Sequence, residues 1–147
     1  MDNYSSTIEI ITMPDKVYDA LTHKIPLWWT EMFKGSSGKA NEVFTVRFGD
    51  HIHKTIRVKD LVINSKVIWY VEDSLIAIPE LKNQKEWMGT TIVWEIEKKD
   101  NRVLLTLTHI GLHPLIECYD ICSNGWLQFI SSLKLFLETG KGVPYKE

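Results

Sequence analysis

His109 ends an apolar alternation in which Val103, Leu105, Leu107 and His109 oppose Leu104, Thr106 and Thr108. An imidazole on the apolar row of a strand can orient a ligand's carbonyl or carboxylate, or take a proton as a general base. The competing reading is a hydrogen-bonded structural histidine at the sheet edge. His51 and His53 alternate on one strand, but no carboxylate or thiol stands at a spacing that would complete a metal site, so no metal is assigned. Cys118 and Cys122 lie four apart. A disulfide framework needs more cysteines and a secretory context, and a metal site needs two further ligands, which leaves two partly buried thiols in a reducing compartment. Ser131 and Ser132 have no nucleophile elbow around them. Gly140-Lys141-Gly142 lacks the phosphate-loop spacing and follows a helix instead of opening one. With no nucleophile and no acid–base pair, no catalytic residue and no cofactor is assigned, and the reading leans away from an enzyme.

The aromatic residues offer binding chemistry instead. Six tryptophans are many for 147 residues. Trp69, Trp94 and Trp126 fall on expected inward faces, where they either wall a cavity, each indole N–H an orienting donor, or simply pack the core. Tyr119 and Phe129 share a helical stripe with Cys122 and Trp126, and Leu107 faces them from the strand that ends at His109. The candidate cavity residues are therefore Trp69, Trp94, Leu107, His109, Tyr119, Cys122, Trp126 and Phe129. Trp28 and Trp29 are consecutive, so on a short helix one should be buried and the other should sit at a cavity mouth or an interface. Gly125 lies inside a helical pattern, where it costs about 1 kcal/mol against alanine. Such a glycine needs a reason, either close approach to a sheet or room for a ligand.

Several elements must position these residues. Apolar residues at Leu115, Tyr119, Cys122, Trp126, Phe129, Ile130, Leu133, Phe136 and Leu137 follow steps of three and four, which predicts one long helix from Leu115 to Thr139, a rod roughly 36 Å long. Pro114 suits its first turn and Gly140 its left-handed cap. Thr7–Thr12 reads as a strand and Pro14–Leu21 as a helix. A second short helix is expected over Leu27–Phe33. Strands follow over 42–48, 51–64 with a bend near Asp60, 66–72, a short one near 75–78, then 87–97 and 102–109. Short turns between strands imply antiparallel neighbours, and the segregation of strands from helices implies an α+β fold. A curved sheet laid against a straight rod leaves space between them.

Bulk composition bounds the function. The length suggests one domain spanning residues 1–147, large enough for a real core. The net charge is −2, from 17 basic and 19 acidic residues without a like-charged run, so no nucleic-acid face is expected. No apolar run reaches the ~18 residues of a membrane span. The N-terminus shows no secretory pattern, so the expected location is cytoplasmic and Asn3-Tyr4-Ser5 is a chance glycosylation match.

Pro14 to Leu21 with Leu27-Trp28-Trp29-Thr30, then Glu86-Trp87-Met88-Gly89-Thr90, Leu107-Thr108-His109-Ile110-Gly111-Leu112, Cys118-Tyr119-Asp120 with Gly125-Trp126, and the tail from Leu133-Lys134 to Gly142 occur in an order and spacing that carry a resemblance over almost the whole chain. The chain resembles the START-like, birch-pollen-allergen-like (SRPBCC) superfamily, and within it the branch named for the C-terminal domain of the activator of the ninety-kilodalton heat-shock protein's ATPase. The resemblance implies a helix-grip fold: a curved antiparallel sheet of about six to seven strands around a long C-terminal helix, with two short helices after the first strand. It also implies a hydrophobic cavity between sheet and helix. Superfamily members bind lipids, hormones or polyketides, and some catalyse cyclisation or hydrolysis. The expectation is thus a protein that binds a hydrophobic small molecule or lipid, as monomer or homodimer. The alternatives are a co-chaperone-like domain that stimulates a heat-shock ATPase and, less favoured, a cyclase- or hydrolase-like enzyme with His109 as base. Met13 departs from the small capping residue expected before Pro14, leaving Thr12 to cap.

Overall fold

The structure, a computed structural model, describes residues 2–147. Chain order is β1 (Tyr4–Ile10), α1 (Pro14–His23), a 3-10 turn (Ile25–Leu27), β2 (Phe33–Gly35), β3 (Val43–Arg47), β4 (Ile52–Val62), β5 (Lys66–Ile76), β6 (Thr91–Lys99), β7 (Arg102–Ile110) and α2 (Tyr119–Thr139). The strands make one seven-stranded antiparallel sheet in the order β1-β7-β6-β5-β4-β3-β2. β1 pairs with the last strand, so α1 and the turn after it carry the chain from one edge of the sheet to the other. The expected α+β helix-grip architecture is the observed one. Among the described residues, no helix is long and apolar enough to cross a membrane.

The period-two rows become one wall of the core. Val67, Trp69 and Val71 on β5, Ile92 and Trp94 on β6, and Val103, Leu105 and Leu107 on β7 are buried, and so are Cys122, Trp126, Ile130 and Leu133 on the facing side of α2. Two irregularities in the β4–β5 ladder set which side chains join that wall. Pairing passes from Thr55↔Asp73 to Ile56↔Val71, leaving Glu72 extra, and from Val58↔Trp69 to Asp60↔Ile68, leaving Lys59 extra. The second is the bend expected near Asp60. The first flips the parity of β5, so that Ser74 and Ile76 turn inward after Val71.

The structure departs from the sequence expectation in two helices. No helix spans Leu27–Phe33: after the 3-10 turn the chain runs irregularly, and Phe33–Gly35 becomes an edge strand on β3. The reason lies in Trp28 and Trp29. Neighbours on a helix point about 100° apart, whereas these two buried indoles stack face to face, 5.7 Å apart and 7° from parallel. Side chains and the tail replace the helical hydrogen bonds: Thr30 Oγ1 donates to the Arg47 carbonyl at 2.8 Å, the Glu31 amide donates to the Tyr145 carbonyl at 3.0 Å, and the Tyr145 amide donates to the Trp29 carbonyl at 2.9 Å. The long helix also starts later than expected, at Tyr119 and not Leu115. Glu86 explains that boundary, because its carboxylate accepts from the amides of Glu117 at 3.1 Å and Cys118 at 3.0 Å, fixing the approach as a turn. At the other end Gly140 takes φ +86° and its amide closes on the Phe136 carbonyl, the expected left-handed cap.

Candidate functional site

A partly open cavity of about 290 Å³ lies between the β4–β5 end of the sheet and the first half of α2. Trp29, Phe48, Ile52, Ile76, Ile78, Trp87, Trp126 and Phe129 supply most of its wall, and Tyr145 closes one side from the C-terminal tail. Ser132 holds that tail: its hydroxyl donates to the Trp28 carbonyl and accepts from the Val143 amide, both at 2.7 Å. A wider depression of about 380 Å³ near His23 and Lys39 is lined by polar loop. The acid there, Glu42, already accepts from the Gly38 and Lys39 amides, so we place the candidate site in the apolar cavity.

Of the eight residues expected there, Cys122, Trp126 and Phe129 line the cavity. Trp69, Trp94, Leu107 and His109 lie behind it in the core. Trp29 stacks on Trp69 at 5.7 Å and Trp126 meets Trp94 edge-on at 5.7 Å, so these two indoles form a floor that separates the sheet row from the open space. Tyr119 faces a different depression, near Asn3 and Pro114. Trp94, His109 and Trp126 nonetheless converge, as the inward parities require.

His109 is fully buried, and both ring nitrogens are engaged. The Trp126 indole N–H donates to Nδ1 at 3.0 Å, which makes Nδ1 the acceptor and places the proton on Nε2. Nε2 then donates to Thr90 Oγ1 at 2.9 Å, and Thr90 Oγ1 donates to the Trp87 carbonyl at 2.6 Å. Burial, with the Lys54 ammonium adding to it, pushes the imidazole down to about 3. The arrangement holds a neutral structural imidazole and offers no free nitrogen to a substrate.

Lys54 is the polar residue that the sequence reading passed over. Ile52, Lys54, Ile56 and Val58 share a parity on β4, so an inward row that includes Ile56 and Val58 must carry Lys54 with it. The side chain is buried. Its Nζ lies 4.4 Å from the Trp87 ring centre and 5.0 Å from that of Phe48, and it reaches the cavity. Desolvation lowers this amine to about 8, opposed only by the Cys122 and Cys118 thiols. The two sulfurs are 2.7 Å apart. The contact with Cys122, together with burial, pushes the Cys118 thiol up. Trp87 Nε1 donates to Cys122 Sγ at 3.1 Å.

The family described as Activator of Hsp90 ATPase homolog 1-like protein matches residues 12–138. The chain belongs to that family. No curated protein matches it significantly. Among solved structures it is similar to the Aha1 dimer from Colwellia psychrerythraea, with 30% identity and a TM-score of 0.78 over 97% of this chain and 100% of that one. It shares 17% identity with MLL2253 from Mesorhizobium loti, with a TM-score of 0.71 over 91% and 96% of the two chains. It also shares 17% identity with DynU16 of the dynemicin biosynthetic locus, with a TM-score of 0.72 over 97% of this chain and 49% of that one. These last two likenesses concern the fold alone.

In this member of the Activator of Hsp90 ATPase homolog 1-like family, the Glu86–Thr90 segment has a physical job. Glu86 fixes the approach to α2, Trp87 stacks on Trp126 at 5.6 Å and binds Cys122, and Thr90 holds His109. Gly125 has a reason as well. A Cβ built there meets nothing within 4 Å, and the residue lines the cavity, so the position keeps space open and makes no close approach to the sheet.

Proposed function

We propose that this protein binds a compact, largely apolar small molecule in the cavity between the sheet and α2. The observation that supports this is the apolar, aromatic-walled space of about 290 Å³ within an otherwise packed interior. Small-molecule sites run from ~300 to ~1,000 Å³, so the volume favours a compact ligand over a long-chain lipid. Trp126, Phe129 and Cys122 would touch the ligand, while Trp69, Trp94, Leu107 and His109 would hold those contacts rigid from behind. The test uses neutral probes, naphthamide and octanamide, in thermal-shift and calorimetric titrations, with native mass spectrometry of the purified protein. Saturable binding that Gly125→Leu abolishes supports the reading. Absence of binding by both probes and of any retained ligand overturns it.

A second reading, stimulation of a heat-shock ATPase through a protein interface, is favoured by family membership. Its test is ATPase turnover of the chaperone with and without this chain. The dimer described for the Colwellia protein suggests the matching measurement of solution mass, in which a homodimer would show twice the chain mass.

A further inference from the structure

We infer that the ligand of this cavity is a compact amphiphile with one acidic group, a carboxylate that pairs with Lys54 Nζ. This rests on the reading that the cavity takes a ligand, and it names the ligand's chemical class. The cavity wall contains one formal charge, the Lys54 ammonium, and no carboxylate. Burying a cation without a partner is strongly unfavourable, and proteins ordinarily place such groups against an acid or at the surface. Here the surface option is close at hand: neighbouring Thr55 and His53 sit on the outward parity, where His53 meets Asp73 at 3.4 Å and Lys85 meets the same carboxylate at 3.3 Å. Lys54 is instead held inward. Two aromatic faces support the charge by cation–π attraction and leave the front of Nζ to the cavity.

A second buried polar group lies across the ladder from its backbone. Ser74 is directly opposite Lys54 in the β4–β5 ladder, is fully buried, and its hydroxyl has no partner among the described residues. It faces inward because the extra Glu72 flips the strand's parity just before it. Ser74 lies behind the cavity wall, so Lys54 Nζ is the charged donor that the cavity itself offers a carboxylate. The rest of the wall, apolar except for Gln128, Tyr145 and Cys122, fits an aromatic or short aliphatic body. The internal rival for the role of counter-charge is the Cys122 thiol, which the Cys118 contact and the Trp87 donor draw down and which lines the same cavity.

The test compares acids with neutral isosteres by isothermal titration: naphthoate against naphthamide, and octanoate against octanamide. In wild type the acids should bind at least roughly 10-fold tighter than the amides. Lys54→Met should erase that difference while keeping amide binding, and Cys122→Ser should preserve it. Equal binding of acid and amide in wild type overturns the inference while leaving the cavity reading intact, and this comparison needs no variant. An acid preference that survives Lys54→Met, or is lost in Cys122→Ser, also overturns it. If no probe of either charge binds, the cavity reading falls and the inference falls with it.

Discussion

The Trp126 indole N–H lies 3.0 Å from Nδ1 of His109, tying the middle of α2 to the end of β7 through one buried hydrogen bond. A bond of this kind fixes both partners. The indole has a single donor, so the imidazole must accept there and carry its proton on the far nitrogen. Phenylalanine at position 126 would keep most of the packing and remove the donor, leaving a buried acceptor unpaired. Trp126→Phe should cost about 1–3 kcal/mol in urea denaturation with the fold retained. A cost near zero would mean that the bond contributes nothing net.

The imidazole also predicts an acid-side slope in stability. Its ordinary value of 6.5 falls to about 3 in the folded state. Between those values the unfolded chain binds a proton that the native state refuses, so stability is lost as pH falls from 6.5 toward 3 and is fully present above 6.5. Each pH unit inside the window removes about 1.4 kcal/mol from this group. Urea midpoints from about pH 7 to about pH 4 should fall more steeply in wild type than in His109→Gln, and nitrogen NMR should find the ring neutral with its proton on Nε2 at about pH 5.

Lys54 predicts a slope on the alkaline side. Its amine drops from 10.5 to about 8 on folding. The penalty is fully present below 8, shrinks as pH rises from 8 to 10.5, and is absent above that. The thiols of Cys122 and Cys118 and the imidazole of His109 are the titratable groups coupled to it. Without ligand, Lys54→Met should therefore be more stable than wild type at about pH 7, by on the order of 2–3 kcal/mol. The gain should fade toward pH 10.5. An equal gain at both pH values would show that it arises from packing and not from the charge.

Gly125 separates helix energetics from cavity space. Gly125→Ala should raise stability by about 1 kcal/mol, since its methyl meets no neighbour. Gly125→Leu should fold and should lose binding of the neutral probes. Calorimetric melting checks the first expectation and titration the second. A destabilised alanine variant would show that the helix needs glycine for its backbone and not for space.

The core behind the cavity was more readable from parity than the cavity wall. Alternation on β6 and β7, with three- and four-residue steps on α2, required Trp94, His109 and Trp126 to meet, and they do. The same rule puts Lys54 on the row of Ile56 and Val58, a placement that the sequence reading did not draw. Ser74 was not readable at all, because the extra Glu72 that turns it inward leaves no periodic trace. The start of α2 depends on Glu86, a carboxylate far upstream that no local helix signal contains. Trp28 and Trp29 misled for a related reason: local pattern favoured a short helix, while the two rings stack face to face in the core, a geometry that helical neighbours do not give. Tertiary contacts decided these points, and they are invisible along the sequence.

The six indoles form a single connected cluster. Trp28 stacks on Trp29, Trp29 on Trp69 and Trp87 on Trp126, while Trp94 bridges Trp28, Trp69 and Trp126 edge-on, every centroid separation lying between 5.3 and 5.9 Å. Chromophores this close share excitation, so the protein's ultraviolet emission belongs to the cluster and not to any one ring. Trp29, Trp87 and Trp126 border the open space. Whatever enters there perturbs the whole array at once, and the protein carries its own optical gauge of occupancy without an added label.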